Sequence, residues 1–265
     1  MDIQNIDIFL SGQKGLIIHQ IWFNLSFNSK KLFKKFEKYQ TSWIVKNCNW
    51  RHMLWNEKTA LEFMKYKFPE YVDMYLSYKH KIQRIDVLRY FLLYEYGGIY
   101  VDMDLECICP IDVFRKEFNK DIYFVETNNK AFGVKVSNLL MFSVPKHIFW
   151  KVLFIELNNA QHTPWFYSKH LQIMYTTGPA FLNRVYNKYV YKFKLNTFPS
   201  EKFNPLCLGM DYININKNEC YTLHYGEGSW ESADSKFLIF LYCNYKIILF
   251  IIWVLLITKI NYKKY

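Results

Sequence analysis

The six cysteines, Cys48, Cys107, Cys109, Cys207, Cys220 and Cys243, show no paired zinc-ligand spacing. They read as buried free thiols rather than a disulfide framework. The first fifteen residues lack a basic stretch followed by an apolar core, which argues against a cleaved signal peptide. No basic block is interleaved with a recognisable nucleic-acid module, and nucleic acid is set aside as a partner. Acidic residues are in the minority. The 23 Asp and Glu against 34 Lys and Arg leave a formal net charge of +11, which favours nucleotide-bearing ligands or anionic lipid headgroups. What is abundant is apolar: 51% of the 265 residues are hydrophobic, enough for one sizeable core.

The most informative stretch is Tyr96-Gly97-Gly98-Ile99-Tyr100-Val101-Asp102-Met103-Asp104. The two glycines permit a tight turn. The alternation after them predicts a strand that places Tyr100, Asp102 and Asp104 on one face. Two adjacent carboxylates repel unless a cation lies between them. Such oxygen ligands suit Mg²⁺ or Mn²⁺, although an Asp-x-Asp alone also fits the solvated face of an edge strand. Upstream, residues 80–95 carry the apolar pattern of a largely buried helix. Asp86 and Arg89, three apart, share one face of it. As a buried ion pair they either lock helix to sheet or hold a ligand near the metal.

Asp86-x-x-Arg89-Tyr90 followed by Tyr96-Gly-Gly-Ile-Tyr-Val-Asp-Met-Asp104 resembles the signature of glycosyltransferases with an Asp-x-Asp sugar-binding region. These include the initiating mannosyltransferases of yeast and the inositol phosphoceramide mannosyltransferases. Ile85 departs from the small residue usual before the Asp. The resemblance implies an α/β fold: a single GT-A-type nucleotide-sugar-binding domain, a mostly parallel central sheet flanked by helices. It implies Mn²⁺ or Mg²⁺ on Asp102 and Asp104, with Asp86 and Arg89 orienting the donor sugar and Tyr100 beside them.

The segment from Leu16 to Phe23 reads as a first strand buried on both faces, ending at Trp22. Trp22 taken alone reads first as a core residue and second as a platform for a nucleotide base; the resemblance favours base stacking. Helices are expected over 28–46 and 56–78, the second broken at Pro69, with a strand near 50–55 between them. Lys30, Lys31, Lys34, Lys35 and Lys38 read as a solvated helix face or, second, a membrane-facing one. A strand is expected after Asp104 until Pro110, and another over 121–126. A strand then reaches a polar corner at Asn138, which either binds a sugar hydroxyl or caps the turn, and a helix opens near His147. Thr176-Thr177-Gly178-Pro179 is an ordinary helix start. The preceding run from Trp165 is similar to the inositol phosphoceramide mannosyltransferase branch.

The segment His224-Tyr-Gly226-Glu227-Gly228-Ser229-Trp230 fits a glycine-rich surface loop or a ligand-binding one. The resemblance makes His224 the third metal ligand and places Ser229 and Trp230 on the donor diphosphate. Residues 237–258 are almost wholly apolar apart from Asn244 and Lys246, and read as a C-terminal hydrophobic helix anchoring the chain to a membrane. The expected division is a transferase domain over 1–235 and an anchor with a basic tail over 236–265. The expected activity is metal-dependent, retaining hexosyl transfer. The donor is a nucleotide sugar, GDP-mannose by resemblance, and the acceptor a lipid or glycan hydroxyl such as inositol phosphoceramide. The location would be the Golgi or another endomembrane. A UDP-sugar enzyme and a silent nucleotide-sugar binder are the alternatives.

Overall fold

A computed structural model of the chain describes residues 3–12, 15–23, 29–127, 135–205, 216, 219–227, 233–237, 244 and 253. In chain order, α1 (Ile3–Ser11) precedes β1 (Ile17–Ile21), α2 (Ser29–Lys46) and β2 (Arg51–Trp55). Then come α3 (Glu57–Lys67), a single 3-10 turn at Pro69–Tyr71, α4 (Val72–Ser77) and α5 (Lys81–Tyr96). Next follow β3 (Gly98–Val101), β4 (Leu105–Cys107), α6 (Ile111–Glu117), β5 (Ile122–Glu126) and β6 (Val136–Ser143). The remainder holds α7 (Ile148–Asn159), α8 (Lys169–Thr176), α9 (Pro179–Phe193), β7 (Asn196–Phe198), α10 (Ser200–Phe203) and β8 (Thr222–His224).

Six strands form one sheet in the order β2-β1-β3-β6-β5-β7, and β4 pairs with β8 in a second, two-stranded sheet. Pairings β1–β2, β1–β3 and β5–β7 are parallel, whereas β6 runs antiparallel to both neighbours. The large sheet is therefore α/β and mostly parallel, with β6 reversed. Strand alternation divides the core in two. Ile17, Ile21, Tyr100 and Met141 join α5, α7 and α9 on one face. Ile18, Ile99, Val101 and Leu140 join Trp43 of α2 and Phe114 of α6 on the other. Helices on both faces explain why β1 reads as a continuous apolar run.

Gly97 and Gly98 take φ of +67° and +89°. A Cβ on Gly98 would stand 2.2 Å from the Ile17 carbonyl oxygen, and one on Gly97 2.6 Å from Pro145. Only glycine allows α5 to end there and β3 to lie this close to β1. One expectation fails at the next turn. The strand does not continue through Asp104: β3 ends at Val101, and residues 102–104 form a turn with the Leu105 amide donating to the Asp102 carbonyl at 3.2 Å. The two carboxylates converge by turning, not by strand alternation. Nor is Asn138 a corner. β6 continues through it as one strand, bulged where its register against β5 slips between Phe124 and Val125. Cys48, Cys107, Cys109 and Cys220 are free thiols, and burial pushes Cys107 up to about 12; Cys207 and Cys243 lie outside the described residues. So does nearly all of the apolar stretch 237–258. Among the described residues no helix is long and apolar enough to cross a membrane.

His19, buried in β1, is structural. Its Nδ1 accepts from Trp55 Nε1 at 3.2 Å, so the proton sits on Nε2 and is donated to the Gly97 carbonyl at 3.0 Å. Burial pushes its pKa down to about 3. Unfolding restores an ordinary imidazole that takes up a proton below its usual value of about 6.5. Between those values the unfolded state binds more protons, so stability falls as pH falls. His19 alone is expected to remove about 2 kcal/mol between pH 7 and pH 5. Urea unfolding at both pH values checks this, with His19→Gln expected to show a shallower loss. Equal pH dependence in the two proteins would contradict it.

Candidate active site

The site is built around Arg89. It projects from the buried face of α5, and its guanidinium lies 4.5 Å from the centre of the Tyr100 ring. Nη2 pairs with Asp86 Oδ1 at 2.9 Å; Nη1 reaches Asp102 Oδ1 at 3.2 Å and the Asn138 carbonyl at 2.8 Å. The slip of β6 against β5 makes that carbonyl available. Two carboxylates, a carbonyl and a ring thus compensate one buried cation. Burial opposes its charge, but Tyr100, Asp102 and Asp86 hold its pKa above the ordinary value.

Asp86 is enclosed further. Asn138 Nδ2 donates to Oδ1 at 3.0 Å, and Thr177 Oγ1 donates to Oδ2 at 3.0 Å. Tyr90 OH fixes Thr177 by donating to its carbonyl at 2.7 Å. A Cβ on Gly178 would lie 3.5 Å from Asp86 Oδ2, so the start of α9 packs on this carboxylate. Burial raises Asp86 to about 6, against the pull of Arg89, Thr177 and Asn138. Asn138→Ala would leave the buried carboxylate short of a donor and is expected to cost about 1–2 kcal/mol. Asn138→Asp, which sets a second negative charge there, should cost more. Thermal denaturation checks the order of the two variants.

The acidic pair lies one turn beyond β3. Tyr100 OH donates to Asp102 Oδ1 at 2.6 Å. Burial raises the Asp102 pKa, and the charge of Asp104 adds to this against Arg89 and Tyr100. Asp104 is bound differently. Its Oδ1 is 3.3 Å from His224 Nε2, and its Oδ2 accepts the Glu227 amide at 2.9 Å. These interactions outweigh burial and hold Asp104 below the ordinary carboxylate value. Asp104 in turn overcomes the burial of His224 and raises its pKa.

His224 arrives from far along the chain because β8 pairs with β4, register-matched at Leu105 and His224. The Tyr225 amide then donates to the Asp104 carbonyl at 3.0 Å. Ligand atoms of Asp102, Asp104 and His224 all lie within 4.8 Å of one another. Two carboxylate oxygens and an imidazole nitrogen suit Mn²⁺ or Mg²⁺.

Met103, between the two aspartates, points into an aromatic cluster of Phe36 and Tyr39 with Trp22 and Tyr225 at its edge. Trp22 is half-buried and meets Phe36 edge-on at 5.4 Å. Tyr39 and Tyr225 stack at 4.5 Å, with Lys38 Nζ 4.6 Å over Tyr39. Lys35 pairs with Glu227.

Residues 34–132 match the family model described as "glycosyltransferase sugar-binding region containing DXD motif". The matched span includes Asp86, Arg89 and the acidic pair. The chain is 24% identical over 253 residues to inositol phosphoceramide mannosyltransferase 3 of Schizosaccharomyces pombe, covering 94% of this chain and 65% of that protein. It is 32% identical over 141 residues to a mannosyl phosphorylinositol ceramide synthase of Saccharomyces cerevisiae, covering 53% and 35%. The chain thus spans less than two thirds of either relative. Among solved structures, the PaToxG glycosyltransferase aligns with a TM-score of 0.46 and 16% identity, over 71% of this chain and 76% of that one.

The DXD region holds Asp86, Arg89, Tyr100, Asp102 and Asp104, which the fold gathers into one network. Trp22 and His224 lie outside the matched span, and the fold brings both alongside it. Ser229 and Trp230 fall outside the described residues. Three residues that the fold brings to this network went unassigned or misplaced in sequence. Asn138 grips Asp86 rather than capping a corner, Thr177 does so as well as starting a helix, and Glu227 ties the His224 segment to Asp104 and Lys35. Only the Gly-Pro after Thr177 hinted at a fixed chain position.

Proposed function

We propose that this chain is a metal-dependent, retaining glycosyltransferase that moves mannose from GDP-mannose to the hydroxyl of an inositol phosphoceramide. The observation that carries the reading is the Asp102–Asp104–His224 group joined through Arg89 to Asp86. Those three residues would hold Mn²⁺ or Mg²⁺, which when bound offsets charge on a departing diphosphate. Arg89 opposes the effect of burial on the Asp102 charge and aims its carboxylate, while Tyr100 fixes its oxygen. Asp86, held by Asn138 and Thr177, presents an acceptor for a donor-sugar hydroxyl. Trp22 offers a ring face for the base, and Ser229 and Trp230 belong to the diphosphate end. The choice of mannose and of the sphingolipid acceptor draws on the names of the two relatives, and retention on the resemblance. Residues 1–235 would be the transferase domain, with 236–265 anchoring it to an endomembrane such as the Golgi.

Donor hydrolysis by the purified chain tests this, comparing GDP-mannose with UDP-glucose, UDP-galactose and UDP-N-acetylglucosamine, each with Mn²⁺ and with chelator. Chelator-sensitive release of GDP alone is the expected result. Release of UDP would keep the enzyme class and overturn the donor. Metal-independent nucleotide binding would overturn the role of Asp102, Asp104 and His224.

A further inference from the structure

Between α7 and α8 the chain exposes two large aromatic residues side by side. Trp165 is 94% exposed and Phe166 65%. Their rings begin a ladder: Trp165 meets Phe166 at 5.9 Å, Phe166 meets Tyr167 at 5.5 Å, and Tyr167 meets Tyr175 at 5.8 Å. Tyr167, Tyr175 and Arg184 line a cleft of about 370 Å³ under this loop. Large aromatic side chains exposed side by side above a polar cleft mark a contact surface.

A second observation identifies the contact. The His170 amide, at the start of α8, donates to Asp234 Oδ2 at 2.8 Å, and His170 Nδ1 lies 3.0 Å from Ser235 Oγ. Residues 234–235 are therefore fastened at the foot of the ladder. Two positions on, Phe237 is 61% exposed and opens the apolar sequence 237–258. Phe237 thus lies two residues beyond a segment held by the helix that follows the Trp165–Phe166 loop. Local charge favours an anionic surface. Asp234 is engaged by His170, and Glu156 by Lys188 and Tyr189. Arg184, which shares the cleft with Tyr167 and Tyr175, and Lys236, next to Ser235, are both exposed cations.

We infer that the Trp165–Phe166 loop docks on the headgroup layer of an anionic lipid bilayer. Aromatic rings favour the boundary between water and hydrocarbon, and flanking cations favour acidic headgroups. The far end of α8 leads to Thr177, which holds Asp86. Eight residues of helix put roughly 12 Å between the two ends of α8, so the loop that precedes it and the Thr177 that follows it are joined by one short rigid element. This inference rests on surface chemistry and stands or falls independently of sugar transfer.

The test uses the full chain and vesicles of phosphatidylcholine with phosphatidylserine, read by co-sedimentation and by fluorescence quenching with brominated acyl chains. The double variant Trp165→Ser with Phe166→Ser touches only exposed side chains, and circular dichroism confirms its fold. It is expected to lower the vesicle partition coefficient about tenfold and to remove a quenchable part of the emission. Chelator-sensitive donor hydrolysis, measured in parallel without lipid, should be unchanged. A fall of less than threefold, or no vesicle binding by the unaltered chain, overturns the inference. The latter result together with preserved hydrolysis would assign the patch to a protein partner instead.

Discussion

Asp104→Ala is expected to lower kcat/KM for sugar transfer by about 10³-fold or more, with far-ultraviolet circular dichroism unchanged. Asp104 is the residue on which the site converges. One of its oxygens faces His224 and the other accepts the Glu227 amide. Removing the carboxylate takes away one of the three groups that could hold a metal ion and also the negative charge that faces His224. Asp102 cannot compensate, because one of its oxygens is already bound by Tyr100 and Arg89. The fold is expected to survive, since the turn at 102–104 is held by backbone contacts to Leu139, Leu105 and Tyr225. Unchanged turnover in a folded variant would remove the acidic pair from the chemistry.

Gly98→Ala should act on stability instead. A methyl group there would lie 2.2 Å from the Ile17 carbonyl, in a backbone conformation with φ of +89°. Relief requires β3 to move from β1, yet β3 is held on its other side by β6 through four register pairs. Strain and lost pairing together are expected to cost about 3–5 kcal/mol. Chemical denaturation measures the loss, and a cost below about 1 kcal/mol would show that β3 can relax away from β1. The same displacement would carry Tyr100 and the 102–104 turn out of place, so residual activity should fall with it.

Much of this site was legible because its signals are local. The two glycines, the Asp86–Arg89 spacing and the buried apolar run of β1 each follow from rules that span a few residues. The turn at 102–104 was not legible, since alternation of Val101, Asp102, Met103 and Asp104 fits a strand equally well. It is the pairing of β4 with β8, away from the large sheet, that bends the chain there. Asn138 was misjudged for the same kind of reason. A bulge depends on the register of two strands, and its purpose, a carbonyl for Arg89 and an amide for Asp86, depends on a helix nearly fifty residues upstream. Glu227 had no partner in sequence because Lys35 lies near the other end of the chain.

The small β4–β8 ladder also sets an order of assembly. During synthesis the acidic turn emerges long before the strand that supplies the imidazole, and domains fold from the N-terminal side as residues appear. A nascent or shortened chain ending before Thr222 can form the large sheet and still display the bare aspartates. Competence would then be conferred last, by a three-residue ladder, rather than accumulated as the sheet grows.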